Sequence, residues 1–204
     1  IMKKSKLLMI ACAFILMMTA CGNSGVLSSK RDFTKTTVSI GKNQDITEYI
    51  VEKLDKDYYD ADELRQEMEE TVSAYNEKHA SGEDVVSLKS FDYDTDTQTI
   101  KARMVYRTYR DYASIHNCDF FVGTISEAGQ NGYEWSDLKE AGTQSADETG
   151  SDEDKSEQMV VICSEAVDVE VPGDVWYLSD GASVDASGLV TVGQSDGYSV
   201  IIYK

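Results

Sequence analysis

The chain has 204 residues, 41% of them hydrophobic, and sets 37 acidic against 19 basic side chains for a formal net charge of −18. Phosphate binding rests on Lys and Arg contacts, so this balance excludes nucleic acid as a partner and works against unaided adsorption to anionic membranes. It leaves cations, basic proteins and neutral glycans, or charge that serves solubility alone. Two histidines give little scope for zinc chemistry, phosphate loops and serine-nucleophile elbows do not occur as motifs, and no cofactor is expected.

Lys3, Lys4 and Lys6 precede an uncharged apolar run from Leu7 to Met18, and the small residues Thr19 and Ala20 then lead to Cys21. This order reads as a signal peptide over residues 1–20. The run has twelve residues, whereas a membrane-spanning helix needs about 20. Removing residues 1–20 takes away three basic residues and no acidic one, which leaves 184 residues with a net charge of −21.

Met18-Thr19-Ala20-Cys21 resembles the lipobox of bacterial lipoproteins, with Met where Leu is usual. The resemblance implies cleavage before Cys21, a diacylglyceryl group on its thiol, and attachment to the extracytoplasmic face of the cell membrane. Two acyl chains on one residue suffice for stable anchoring. Of the other cysteines, Cys12 falls in the signal, while Cys118 and Cys163 are compatible with one disulfide outside the cytoplasm or with two buried thiols.

Residues 21–35 are polar and aperiodic, the composition of a flexible tether. Thr37 to Ile40 and Ile46 to Val51 then read as a hairpin around Gly41–Gln44. The second run also fits helical spacing, with Asp45 and Glu48 placed like a capping box. Ala61, Leu64, Met68, Val72 and Tyr75 recur at spacings of three and four, which predicts an amphipathic helix from an Asp60 cap to Gly82. Ser87–Tyr93 and Thr99–Arg107 read as a second hairpin. Asp111–His116 suits a short helix and Phe120–Val122 a buried strand. Thr124-Ile125-Ser126-Glu127 suits a capping box, with Gly132 ending the brief helix that follows.

Residues 141–158 are dense in acid and lack aromatic and large aliphatic side chains, so they are expected to be a disordered loop or linker. Beyond them Met159–Cys163, Val167–Val171, Val175–Leu178, Val184, Leu189–Val192 and Tyr198–Tyr203 alternate with turns at Pro172-Gly173, Asp180-Gly181, Ser187-Gly188 and Asp196-Gly197. The expected fold class is α+β: a hairpin–helix–hairpin region over 36–140, then a β-rich meander or small sandwich over 159–204.

The lipobox, the Tyr-Tyr-Asp-x-Asp-Glu-Leu helix start at Tyr58–Leu64, Phe-Val-Gly-Thr at Phe121–Thr124 and the closing Tyr-Ser-Val-Ile-Ile-Tyr-Lys together resemble uncharacterised lipoproteins of clostridial-type Gram-positive bacteria. The resemblance spans most of the chain after Cys21. It implies lipidation of Cys21 and no particular activity.

Asp92, Asp94 and Asp96 alternate as in a calcium loop. Thr97 and Arg103 stand where that loop needs Gly and Glu, so a polar turn is the better reading. His116 and Cys118 share the spacing of a base and a thiol nucleophile, but a core thiol is the plainer account. His79 can face a helix C-terminus. Trp135, Trp176 and Tyr177 are candidates for a glycan platform, against the commoner role of aromatic core. The expectation is a binding or envelope-interaction module without enzymatic activity, for a glycan, cation or protein. The competing class is a cell-wall or glycan hydrolase with two carboxylates about 5–10 Å apart.

Overall fold

The computed structural model describes residues 32–56, 58–141, 158–194 and 197–204. The signal peptide, Cys12, Cys21, the tether up to residue 31, acidic residues 142–157 and Asp196 lie outside the described residues.

Short β-branched and aromatic runs set off by turn residues become strands. In chain order β1 is Thr37–Ile40, β2 Ile46–Lys53, α1 Ala61–His79, β3 Val86–Asp94, β4 Thr99–Tyr106, α2 Tyr109–His116, β5 Phe120–Thr124 and α3 Ile125–Gln130. There follow β6 (Lys139–Glu140), β7 (Met159–Cys163), β8 (Asp168–Glu170), β9 (Val175–Leu178), β10 (Ala182–Val184), β11 (Val190–Val192) and β12 (Ser199–Tyr203). The fold is α+β and predominantly β. Residues 46–53 are strand rather than helix, and no helix among the described residues is long and apolar enough to cross a membrane.

A seven-stranded sheet has the order β10-β11-β8-β1-β2-β4-β3, and a five-stranded sheet the order β5-β7-β12-β9-β6. Neighbours are antiparallel except β1 and β8, which run parallel with Val38 against Val169. Strands from 36–140 and from 159–204 occur in both sheets, so the β-rich region is not a body of its own. The physical reason is edge pairing: β8 hydrogen-bonds to the side of β1 that β2 leaves open. Within the stretch expected as tether, Phe33 belongs to the compact unit that runs to Lys204. Phe33 is 5% exposed, and its ring packs 4.7 Å from that of Tyr49.

β7 and β12 are almost continuously apolar because both of their faces are covered. Val161, Cys163, Ile201 and Tyr203 enter the main core, which also takes Val38, Ile40, Ile46, Met104, Val169 and Val190 from the seven-stranded sheet. Val160, Ile162, Val200 and Ile202 form a second core on the other face, closed by Ala128 of α3 and by Tyr133, Trp135 and Tyr177.

The helices are set by their caps. Asp60 Oδ1 accepts the N–H groups of Asp62 and Glu63 to start α1, whose Met68, Val72 and Tyr75 stripe rests half-buried against the main core. Near its end Asn76 clamps the helix to β3, donating to Val86 O at 2.8 Å and accepting from the Val85 and Val86 N–H groups. Capping boxes at Thr108/Asp111 and Thr124/Glu127 begin α2 and α3. Asn117, at φ 52°, ends α2 in the left-handed region.

Candidate functional site

Side chains alternate along a strand, so Ile46, Glu48, Ile50 and Glu52 share one face of β2. Ile46 lies in the main core and Ile50 packs against it; the same alternation drives Glu48 inward, to 4% exposure. A buried carboxylate is tolerated only when its oxygens are satisfied. Tyr106 donates its hydroxyl to Glu48 Oε2 at 2.6 Å, and His116 Nε2 lies 3.2 Å from the same oxygen. The other ring nitrogen of His116 is 3.8 Å from Glu165 Oε1. Tyr112 donates to Glu165 Oε2 at 2.8 Å and stacks on the imidazole at 4.2 Å.

Burial alone would raise the Glu48 carboxyl and lower His116. For Glu48 it is outweighed by the charge and hydrogen bond of His116 and the hydroxyl of Tyr106, so the carboxyl is held below its ordinary value. For His116 it is outweighed by Glu48 and then Glu165, so the imidazole is held above its own. Burial, then the Glu48 charge, pushes Tyr106 and Tyr112 well above the usual phenol range, so both stay protonated and donate. The unit is a Glu48–His116–Glu165 chain, with Nε2 within hydrogen-bond reach of Glu48 and the other ring nitrogen 3.8 Å from Glu165. It ties α2 to β2.

The Cys118–His116 pair is therefore not assembled as base and nucleophile, because the imidazole turns to Glu48 and Glu165. Cys118 lines a shallow polar depression of about 410 Å³ with Ser114, Asn117, Asp119 and Ser164. Cys163 donates to the Glu165 carbonyl at 3.3 Å, and burial pushes its thiol up to about 12. Cys118 and Cys163 are not joined in a disulfide. The β5–β7 register sets Cys163 opposite Phe120, two residues beyond Cys118.

A second constellation is at the surface. Tyr59, Asp60, Ala61, Asp62 and Arg65, from the start of α1, line a groove of about 440 Å³ with Phe91 and Tyr93 of β3. Tyr58 and Tyr93 are the exposed large hydrophobics among the described residues, at 73% and 38%. Tyr93 lines this groove, and Tyr58 pairs ring to ring with Tyr59 at 4.7 Å. Glu52 is near enough for its charge to act on the Tyr59 hydroxyl. Burial, then the charge of Glu48, raises the Glu52 carboxyl to about 7.

The remaining sequence candidates separate. Asp94 Oδ1 accepts the Asp96 and Thr97 N–H groups at 2.9 and 3.1 Å, which makes the 92–96 segment a side-chain-stapled hairpin turn. Trp176 and Tyr177 point to opposite sides of β9. Tyr177 and Trp135 pack on the second core, while the Lys204 ammonium sits 5.3 Å over the Trp176 ring. His79 stacks on Tyr75 at 4.3 Å in the last turn of α1. Among the described residues no three His, Cys, Asp or Glu side chains are grouped to hold a metal ion.

Glu48 had a legible signal: an acid at the inward phase of an alternating strand. Glu165 had none, since it stands in the loop between β7 and β8. Set against protein-family models, curated proteins and solved structures, the chain finds no match in any of the three.

Proposed function

We propose that this chain is a lipoprotein held by lipid on Cys21 at the extracytoplasmic face of the cell membrane, and that its domain is a binding module with the Tyr59–Phe91–Tyr93 groove as ligand site. The address rests on the lipobox Met18-Thr19-Ala20-Cys21. The binding role is carried by one observation: Tyr93, one of the two large hydrophobics left in water among the described residues, shares with Tyr59 and Phe91 a groove that Asp60, Asp62 and Arg65 also line. Exposed apolar surface rimmed by polar groups marks an interaction site. In this reading the N-terminal hairpin–helix–hairpin is the frame that carries the groove. Hydrolysis with a carboxylate pair is less well supported, because Glu48 and Glu165, which flank one imidazole, are both engaged by it.

Cell fractionation with fatty-acid labelling tests the address. The wild-type chain should label and sediment with membranes, and Cys21→Ala should do neither. Membrane retention of the unlabelled variant would refute the anchor.

A further inference from the structure

We infer that the groove takes a small organic cation, with an ammonium group set against the rings of Tyr59, Phe91 and Tyr93. The inference rests on the binding reading for the groove and is independent of the lipid. Aromatic faces carry the negative lobe of the ring quadrupole and attract cations within about 6 Å. Three aromatic side chains line this one depression.

Charge selects among small molecules. The basic side chain lining the groove is matched within the chain: Arg65 Nε meets Glu69 Oε1 at 3.0 Å. Asp60 and Asp62 make no ion pair among the described residues and line the groove. The N-terminal end of α1 would ordinarily oppose a cation. Here the Asp60 side chain takes the N–H groups of Asp62 and Glu63, and Asp62 and Glu63 supply negative charge in the first turn. The groove thus combines ring faces with an excess of carboxylate, on a chain of net charge −18. Anions are repelled, and a cation is complemented twice.

The test is titration of the full mature lipidated chain in detergent with tetramethylammonium, spermidine, a neutral chitin trisaccharide and inorganic phosphate, read by tyrosine fluorescence and calorimetry. Tetramethylammonium cannot donate a hydrogen bond, so its binding isolates the ring contribution. Both cations should bind with dissociation constants in the millimolar range or tighter. Tyr93→Ala should weaken tetramethylammonium roughly tenfold, and Arg65→Ala should leave it equal or tighter, with unchanged circular dichroism in each variant. No response to either cation at about 100 mM overturns the inference. Trisaccharide binding that Tyr93→Ala abolishes, with no cation response, also overturns it but preserves the groove as a binding site. Silence from every probe removes both.

Discussion

Glu48 on β2 and His116 on α2, 68 positions apart in sequence, meet at 3.2 Å between Oε2 and Nε2 in the interior of the protein. Breaking a buried ion pair from one side leaves an uncompensated polar group and costs about 3–5 kcal/mol. His116→Ala should therefore destabilise the chain by about 3 kcal/mol in urea unfolding, with Glu48→Ala similar near pH 6. Replacing both by leucine should cost less than either single change. A His116→Ala loss under about 1 kcal/mol would show that the pair does not hold α2 in place.

The same groups set the pH dependence. Glu48 is held below its ordinary 4.5, so its contribution is present above that pH and is lost as acid carries the solution through the lowered value. His116 is held above 6.5, so its contribution is present below 6.5 and is lost as pH rises through the raised value. Glu52, raised to about 7, works in the opposite sense to Glu48. Ionising it penalises the folded state increasingly from pH 4.5 up to about 7. Melting temperature should peak in mildly acid solution and decline toward pH 9. Glu52→Gln should recover about 1–2 kcal/mol on the alkaline side, solvent screening of this partly exposed group included. A melting profile flat between pH 5 and 9 would contradict these assignments.

Thiol chemistry separates the two cysteines of the domain. Cys163 is fully buried and its thiol is pushed up to about 12, whereas Cys118 is half-buried at the polar depression. A maleimide reagent at pH 7.5 should modify Cys118 in the native protein and reach Cys163 only on unfolding. Equal resistance of both until a reductant is added would instead indicate a disulfide between them.

Asn76 makes three hydrogen bonds from the last turn of α1 to the start of β3. Its removal leaves the buried Val86 amide and carbonyl without these partners. Asn76→Ala should cost about 2–3 kcal/mol by urea unfolding, whereas the neighbouring exposed Glu77→Ala should change stability by less than about 0.5 kcal/mol.

What could be read in advance follows the range of the forces involved. The Asp60 cap, the Thr124/Glu127 box and the runs of β7 and β9 are local patterns, and each marks its element directly. The Thr108/Asp111 box is not followed by a clear apolar repeat, and β6 is only two residues long, so neither carries a strong local pattern. Sheet membership is a property of distant pairing: nothing in Asp168–Glu170 states that it will lie against Thr37–Ser39. The groove is equally a product of distant pairing, since Tyr59 and Tyr93 come together only once α1 is laid beside β3. The aromatic residues that did stand out in sequence, Trp135 and Tyr177, pack against the second core.

β12 lies between β7 and β9 in the middle of the five-stranded sheet, yet it follows every other strand in sequence. Any fragment of the chain that stops short of Ser199 therefore lacks the strand on which both neighbours close. Together with the β1–β8 pairing across some 130 residues, this makes assembly late and non-local, the condition under which chains fold slowly. During vectorial emergence from a ribosome or a translocation pore, the five-stranded sheet has to wait for its centre. The chain stays threadable until then.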